Sequence, residues 1–505
     1  MKIRFRSLPA VLATVATLAA CGGGGSTSPA AVKAPPPPPP TSTTTPPTVL
    51  LSSASYAGMC AAPRAGVDSD GMPFTDRQGV LADEKNFLRS WIDEEYLWYR
   101  EVPGNLDPAS YPTAIDFFNV LKTPLTTASG KPKDEFHFTY PSAEWEQLQS
   151  SGVSLGYGVT WSRLASYTPR TWYVSMVEPG SPAAIAGVRR GDRLVMVDGV
   201  DFANANGADS VNRINAGLFP ENAGELHAFT LARTDGVQYT ASVTAADVAA
   251  TPVQNASVID TSTGKVGYLT FNSHNAVAER QLIDAFSYLK QQDVSDLVLD
   301  MRYNGGGLLY LAGQLGYMIA GPAQSDGKDF ERMIRNDKRE PLDPVPFVST
   351  TLGFPSPNPV PVDQPLPWLG LKRITILTTS DTCSASEAVI NGLRGIDVEV
   401  NIVGARTCGK PYGFVPKDNC GTTYFAIELQ GANNKGFGDY ADGFGATCTV
   451  PDDLSRPLGD RSEGMLSAAL RLRETGQCDT STVRARVMPL ELVRHPALEV
   501  GILDR

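Results

Sequence analysis

The sequence predicts a multidomain α/β protein, and three changes of pattern along the chain support this. An N-terminal region carries apolar residues at helical spacing, a middle region has short β-branched runs punctuated by glycine, and the remainder alternates strand and helix patterns. The chain has 505 residues, which is enough for several domains. We therefore expect a small helical domain over residues 52–150, a β-domain over residues 151–250 and an α/β core over residues 251–505.

The helical domain is predicted from two stretches. Residues 83–101 repeat large apolar side chains at every third or fourth position, and residues 111–121 carry a shorter pattern of the same kind. An aromatic stripe of this type is typical of a hydrophobic core, so we assign it no part in function.

The α/β core is predicted from a strand–helix–strand pattern. Residues 265–271 read as a strand, residues 276–291 as an amphipathic helix, and residues 296–301 as a buried strand that runs into the glycine cluster Asn304–Gly307. This order is a βαβ crossover, so the core sheet is expected to be partly parallel. Neither G-x-G-x-x-G nor G-K-[ST] accompanies the glycines, which argues against nucleotide binding.

A second unit of the core contains a candidate nucleophile. Ser384 lies at the start of a helix predicted over residues 385–394, and the strand predicted over residues 398–404 ends in a turn that presents Lys410. Free N–H groups and the dipole at a helix N-terminus favour a developing negative charge. However, Ser384–Glu387 is also a capping box, S-x-x-E, and this local pattern alone favours a purely structural helix start.

The first 51 residues read as an export signal followed by a tether. A basic start and a short apolar stretch end in Leu18-Ala19-Ala20-Cys21, which resembles the bacterial lipobox. The resemblance implies removal of residues 1–20 and lipidation of Cys21, with the next residue, glycine, favouring the outer membrane. Residues 21–51 are rich in Pro, Ser and Thr and predict an extended tether. We expect a body anchored by lipid in the bacterial cell envelope, facing the periplasm or the cell surface.

Composition disfavours several partners and cofactors. The net charge of −11 disfavours nucleic acid and anionic membrane surfaces, and no apolar run reaches the roughly 18 residues of a transmembrane helix. Apart from Cys21 the cysteines are even in number, which predicts disulfides in an exported protein. The sequence has neither C-x-x-C nor H-E-x-x-H and only four histidines, so it predicts no metal site and no other cofactor.

Residues 175–201 carry a pattern that resembles a PDZ domain. The positions in register with that family are Gly180, Ser181, Pro182, Ala183, Ala186, Gly187, Gly191, Asp192 and Gly199. The resemblance implies a domain that takes the C-terminal segment of a protein as an added strand, and binds its carboxylate through backbone N–H groups of a loop. That loop is expected at Leu155, Gly156, Tyr157 and Gly158. A PDZ fold used only as a structural or regulatory spacer is the alternative.

Three motifs behind the PDZ pattern resemble peptidase family S41, the C-terminal processing or tail-specific serine peptidases. They are LDMRYNGGG ending at Gly307, TCSASE ending at Glu387 and GARTCGK ending at Lys410. The resemblance covers roughly residues 150–460 and implies a core of the ClpP/crotonase-like type. It implies a serine endopeptidase that forms an acyl-enzyme with protein or peptide substrates.

The family pattern, carried over by position, implies a Ser–Lys dyad. Ser384 holds the first-serine position of S-A-S-E and is the expected nucleophile, and Lys410 holds the lysine position of T-x-G-K and is the expected general base. Ser386 is the main alternative nucleophile and Ser380 a distant one.

The pattern also implies the groups that surround the dyad. The backbone N–H of Ala385, with that of Gly305 or Gly306, is expected to form the oxyanion hole. The supporting positions that match are Asn304, Glu387 and Thr407.

A lysine base must be neutral to accept a proton. A solvated lysine has a pKa near 10.4, so desolvation must lower the pKa of Lys410 toward about 7 or 8. Val403, Tyr412 and Phe414 are the expected apolar walls. No histidine is required; a catalytic role is conceivable for His274, and a capping or surface role is expected.

Two features depart from the family pattern. Phe414 stands where many members have a glutamine that orients the lysine, so the sequence does not identify the orienting group. Cys383 and Cys408 flank the dyad and are expected to bond to each other if the two loops touch, with pairings to Cys420 or Cys448 as the alternative. Two other classes therefore stay open: an inactive PDZ-based peptide-binding lipoprotein, which the change at Phe414 favours, and a surface adhesion lipoprotein, which the intact motifs disfavour.

Overall fold

A computed structural model describes residues 50–68, 71–478 and 490–493. Within these ranges, every helix is too short or too polar to cross a lipid bilayer. The predicted signal peptide with Cys21, and all of the predicted tether except its last two residues, lie outside the described residues.

The N-terminal region contributes short helices and single strands. Its described elements are β1 (Met59–Cys60), β2 (Arg77–Gln78), α1 (Leu81–Glu95), α2 (Ala114–Phe118), β3 (Phe138–Pro141) and α3 (Ser142–Ser151), with 3₁₀ turns at Ser53–Ser55, Tyr99–Glu101 and Pro108–Ser110. Both predicted helices form, and both are shorter than predicted. α1 ends at Glu95 because the chain then turns into the core, where the Leu97 N–H donates to the Ile427 carbonyl at 2.8 Å.

This region shares its hydrophobic core with the α/β part of the chain. Phe87, Leu88 and Trp91 of α1 are buried in the same apolar cluster as the helices and strands described below. A disulfide joins Cys60 to Cys420 in addition. The helical residues therefore form part of the core rather than a separate packing unit.

The middle region is an antiparallel β-domain with two helices. Its elements are β4 (Val153–Gly156), β5 (Val159–Ala165), β6 (Thr171–Val177), α4 (Pro182–Ile185), β7 (Arg193–Val197), β8 (Val200–Asp201), α5 (Ala208–Leu218), β9 (Leu226–Ala232), β10 (Gln238–Thr244) and β11 (Ala246–Ala249). Ser181 caps α4: its Oγ accepts a hydrogen bond from the Ala184 N–H at 3.2 Å, and Pro182 is the first helical residue.

The α/β core completes the described chain. Its elements are β12 (Val253–Thr261), β13 (Gly264–Phe271), α6 (Ala278–Gln291), β14 (Asp296–Asp300), α7 (Leu309–Ala320), α8 (Pro322–Ser325), β15 (Asp329–Ile334), β16 (Val345–Pro346), β17 (Arg373–Thr378), α9 (Ala385–Gly395), β18 (Glu399–Gly404), β19 (Tyr412–Gly413), β20 (Lys417–Asn419), β21 (Thr422–Phe425), β22 (Leu429–Ala432), β23 (Cys448–Thr449), α10 (Gly464–Thr475) and β24 (Glu491–Val493).

The central sheet has the strand order β12-β13-β14-β17-β18-β23. β12 is antiparallel to β13, and every other pair in this sheet is parallel, as the βαβ pattern predicts. Helices α6, α7 and α9 pack on one face, and α10 packs on the other. Because β13, β14, β17 and β18 are parallel, their carboxyl ends meet at one edge, which is where ligands bind in open α/β sheets.

Among the described residues, two-stranded sheets form from β1-β2 and β11-β4, and three larger sheets accompany the central one. β16-β15-β22-β19 and β20-β21-β3 extend the core, so that the N-terminal region supplies β3. The β-domain sheet has the order β10-β9-β7-β6-β5-β24, with β8 paired to β7. The last described strand of the chain, β24, thus lies at the edge of a sheet formed far earlier in the sequence.

Candidate active site

Ser384 lies in the loop after β17, at the N-cap of α9. Its side chain is nearly buried, and its backbone has φ of 56° and ψ of −118°. Non-glycine residues in this region are uncommon and carry roughly 1–3 kcal/mol of strain, which persists where the surrounding structure enforces it. The loop therefore holds Ser384 in a fixed orientation beside the first N–H groups of a helix.

Lys410 lies in the loop after the neighbouring strand β18 and is 2 % exposed. Its Nζ is 4.6 Å from the ring centroid of Phe414 and 4.7 Å from that of Phe136. Low polarity favours the neutral amine, whereas an aromatic face attracts the cation. Phe414 is thus a wall of the amine site, as predicted. It occupies the position at which the family pattern has a glutamine that orients the lysine.

One of the three expected walls of Lys410 is wrong. Val403 is not a wall, because side chains alternate along a strand: Ile402 faces the α9 side of the sheet and Val403 faces the α10 side. Phe136, from the N-terminal region, takes that place, although nothing in its local sequence indicates a contact with a residue so distant in the chain.

Glu387 connects the nucleophile loop to the lysine loop. Its Oε2 accepts hydrogen bonds from the backbone N–H of Ser384 at 3.1 Å and of Lys410 at 2.7 Å. Its Oε1 accepts from the Thr407 hydroxyl at 2.5 Å and the Gly409 N–H at 2.9 Å. Burial raises the pKa of Glu387, and these four donors oppose the shift by stabilising the carboxylate. One buried carboxylate therefore sets the relative position of the two predicted catalytic residues.

The glycine loop after β14 lies directly over the start of α9. A Cβ on Gly306, whose φ is 108°, would lie 2.8 Å from the Ser384 Cβ and 2.9 Å from the Ala385 backbone N. Only glycine leaves space beside these two groups. The Gly306 N–H itself donates to Asn304 Oδ1 at 3.0 Å, so Gly305 is the better second donor to accompany Ala385.

Asn304 holds this loop in place. Its Oδ1 also contacts His274 Nδ1 at 3.1 Å, and its carbonyl accepts from the Cys383 N–H and from the Ser386 hydroxyl. His274 is fully buried, and burial lowers its pKa to about 3, so the expectation of a surface role was wrong. Because the Ser386 hydroxyl is buried and donates at 3.0 Å to a carbonyl, the geometry favours Ser384 over Ser386 as the nucleophile.

A disulfide joins Cys383 to Cys408, with a Cα–Cα distance of 5.3 Å. It links the residue before Ser384 to the lysine loop, and it is the pairing that was predicted. Cys420 and Cys448, the predicted alternative partners, bond instead to Cys60 and Cys478. The two sulfurs beside Glu387 are therefore bonded to each other, which leaves no thiolate pair for a metal ion.

Ser384 and Lys410 line one narrow pocket. Its remaining walls are mostly apolar: Leu309, Met333, Ala388, Tyr412, Leu429 and Tyr440. Glu331 is the acidic group of the lining, and burial raises its pKa to about 8. The pocket therefore presents a neutral carboxylic acid to its contents near neutral pH. Neither Glu331 nor Tyr440 belongs to a sequence motif.

We expect the stability of the protein to fall between about pH 5 and pH 8 because of Glu331. The folded state keeps the proton up to the raised pKa, while the unfolded chain releases it near 4.5, so raising the pH favours unfolding by an amount on the order of a few kcal/mol. Chemical denaturation at several pH values measures this. Burial also raises the pKa of Glu428 to about 8 and that of Glu178 to about 7, so Glu331→Gln should reduce the slope of the profile without removing it. The exposed control Glu399→Gln should leave the slope unchanged; equal slopes for all three proteins contradict the assignment.

The predicted carboxylate-binding residues lie together along one groove of the β-domain. Leu155 and Gly156 belong to strand β4 and pair with β11, so the turn before β5 consists only of Tyr157 and Gly158. The Tyr157 hydroxyl donates to the Gly217 carbonyl at 2.8 Å and its ring is buried, which makes this side chain structural. All four residues line the groove.

The site brings together a serine on a strained turn at a helix N-terminus, a buried lysine in the loop after the adjacent parallel strand, and a glycine loop above them. A nucleophile candidate beside free backbone N–H groups is the arrangement of a serine hydrolase.

Three family models match separate parts of the chain. Residues 265–417 match peptidase family S41, residues 173–211 match the PDZ domain, and residues 83–140 match the peptidase S41 N-terminal domain. The chain thus carries an S41 peptidase core, a PDZ domain and the N-terminal domain of that family.

Individual relatives agree with this assignment. The chain is 30 % identical over 235 residues to a carboxyl-terminal-processing protease of Picosynechococcus, covering 46 % of this chain and 49 % of that protein. It is 26 % identical over 267 residues to a protein of the same name from Synechocystis, covering 52 % and 55 %. The chain thus spans about half the length of these curated relatives. A crystal structure described as an S41 protease of Bacteroides fragilis has the same fold, with a TM-score of 0.61, 24 % identity, and coverage of 77 % of this chain and 97 % of that one.

Proposed function

We propose that this protein is a serine endopeptidase in which Ser384 and Lys410 form the catalytic dyad. The observation that carries the proposal is the Glu387 carboxylate, which binds the backbone N–H of both residues, while both side chains line one pocket. Their arrangement on parallel strand ends, with helix N–H groups beside the serine, suits acyl transfer.

The proposed reaction proceeds through an acyl-enzyme. Lys410 Nζ accepts the proton of the Ser384 hydroxyl as Oγ attacks the scissile carbonyl carbon. The Ala385 and Gly305 N–H groups stabilise the oxyanion, and donors of this kind contribute about 3 kcal/mol each. The protonated amine then donates to the leaving nitrogen as the C–N bond breaks. Water, deprotonated by Lys410, hydrolyses the ester and regenerates the serine.

The substrate is proposed to be a protein with an accessible extended segment. The PDZ domain would bind a C-terminal or unfolded segment, in keeping with the C-terminal processing for which the curated relatives are named. The apolar lining of the pocket, with Glu331 neutral, favours an uncharged side chain next to the cleaved bond.

Cleavage of an unstructured reporter protein tests the dyad. We expect Ser384→Ala to lower kcat/KM by at least about 10⁴-fold, because it removes the attacking oxygen. Ser386→Ala, which removes the neighbouring hydroxyl, should retain activity within about ten-fold. The opposite order, or equal cleavage by the wild type and Ser384→Ala, contradicts the assignment. If no variant cleaves reporters with varied C-termini, a peptide-binding protein without activity is the better description.

The location of the protein is also a proposal. The lipobox-like end at Cys21 and the Pro-rich stretch behind it support a lipid anchor in the bacterial cell envelope, on the outer membrane. Palmitate labelling that is lost in Cys21→Ser is the expected result, and equal labelling of that variant contradicts the anchor.

A further inference from the structure

The strand β24 occupies the edge of the PDZ domain at which a peptide ligand is added. It pairs antiparallel with β5, placing Leu492 opposite Ser162 and Val493 opposite Trp161. β5 directly follows the Tyr157–Gly158 turn, and both β24 residues line the same groove as that turn. A distant segment of the chain itself thus takes the position of an added strand.

The side chains of β24 point to two different parts of the molecule, because they alternate across the strand. Val493 packs against the core of the PDZ domain. Leu492 is 8 % exposed and packs with Met176, on the next PDZ strand, and with Tyr303. Tyr303 belongs to the glycine loop of the peptidase core and precedes Asn304. The segment therefore contacts the PDZ domain and a catalytic loop at the same time.

A second contact reaches the nucleophile loop. The Leu492 N–H donates to the Asp381 carboxylate, at 3.2 Å to Oδ1 and 3.3 Å to Oδ2. Asp381 lies between β17 and Ser384. Because the donor is a backbone group, an extended segment in the same register presents it with any residue other than proline at this position.

The PDZ domain and the glycine loop are also joined by a buried polar network. Arg190 of the PDZ domain donates to the Tyr303 hydroxyl and pairs with Asp452 at 2.5 Å. Arg302, next to Tyr303, pairs with the same Asp452 at 2.6 Å. These cations lower the pKa of Asp452 to about 2 and keep it charged. Tyr303, against which Leu492 packs, is therefore fixed from both domains.

We propose that residues 491–493 are a built-in occupant of this edge, which an incoming extended segment with an aliphatic residue at the position of Leu492 must displace. Neither Leu492 nor Val493 lines the pocket that holds Ser384 and Lys410. β24 thus contacts the loops that carry Ser384 and the oxyanion donors without forming a wall of the catalytic pocket. The catalytic role of these loops rests on the proposed function; the binding site does not.

Competition with a peptide tests the site, independently of catalysis, in a Ser384→Ala background. The probe is a fluorescent peptide copying residues 488–495, MPLELVRH. A tethered occupant competes at an effective concentration in the millimolar range, so the probe should bind weakly to the parent. Leu492→Asp places a charge against Met176 and Tyr303, and should tighten probe binding at least about ten-fold by weakening the occupant. The apolar replacement Leu492→Met should behave like the parent.

Two further arms define the contacts. A probe with aspartate in place of the leucine that copies Leu492 should lose binding to the Leu492→Asp protein. Adding Asp381→Ala to that protein should weaken binding of the original probe. Equal probe affinity for the parent and Leu492→Asp, or equal binding of both probes, overturns the proposal. Because binding is measured without the nucleophile, a failure of the proposed peptidase activity leaves these outcomes readable.

Discussion

Lys410→Met lowers kcat/KM for an unstructured reporter by about 10⁴-fold, because the variant keeps the shape of the side chain and loses the group that accepts the serine proton. The methionine fits between Phe136 and Phe414, which now pack against the Lys410 side chain. Folding is therefore expected to survive the substitution, and the loss appears in kcat. Initial rates across a range of reporter concentrations measure it.

Lys131→Met is the matched control for this substitution. Lys131 is exposed, and its Nζ lies 3.4 Å from the carbonyl oxygen of Cys408, which belongs to the loop that carries Lys410. The control therefore removes a nearby cation without changing a residue that lines the pocket. Activity within a few-fold of wild type is expected. A comparable loss in both variants would show that local charge, rather than the base, determines the rate.

Glu387→Gln lowers kcat by about 10²-fold and destabilises the protein by about 3 kcal/mol. Four groups donate hydrogen bonds to the Glu387 carboxylate, two to each oxygen. The NH₂ group of a glutamine would face two of these donors, so at least one N–H or hydroxyl group is left without an acceptor in a buried site. The positions of Ser384 and Lys410 then relax relative to each other, and misplacement of about 1 Å costs a factor of this size. Glu387 is a positioning residue, so KM should change little.

Glu279→Gln separates positioning from stability. Glu279 is a buried carboxylate that accepts hydrogen bonds from Gln314 Nε2 and from the N–H groups of Leu352, Gly353 and Phe354, none of which lines the pocket that holds Ser384. The Glu279→Gln protein should lose a similar free energy of unfolding in denaturant titrations. At temperatures well below its melting temperature, it should keep the kcat of the wild type. If both variants lose kcat in proportion to stability, Glu387 has only a structural part.

The sequence was sufficient to predict the parts of the site that lie on local motifs. The βαβ pattern implied parallel strands, and parallel strands place their carboxyl ends at one edge, so Asn304, Ser384 and Lys410 converge as expected. The capping-box pattern was ambiguous by itself. In the structure, Glu387 of the capping box has a second role, because it accepts a hydrogen bond from the Lys410 N–H as well as from the Ser384 N–H.

The contacts that could not be predicted join residues far apart in the chain. Phe136 reaches Lys410 because β3 pairs with β21, a pairing that leaves no local signal in either strand. The same limit applies to the cysteines: local sequence suggested Cys383–Cys408, but not that Cys420 bonds to Cys60 across the fold. β24 is the largest case, since three residues near the C-terminal end complete a sheet begun at β5.

Covalent labelling of the nucleophile tests the central claim most directly. The protein is treated with a fluorophosphonate, which reacts with activated serines, and the adduct is located by peptide mass spectrometry. We expect one adduct, on Ser384, formed at least about 10²-fold more slowly in Lys410→Met and at a near-normal rate in Ser386→Ala. An adduct on Ser386 or Ser380, or labelling of Ser384 that is as fast without Lys410 as with it, contradicts the Ser384–Lys410 dyad.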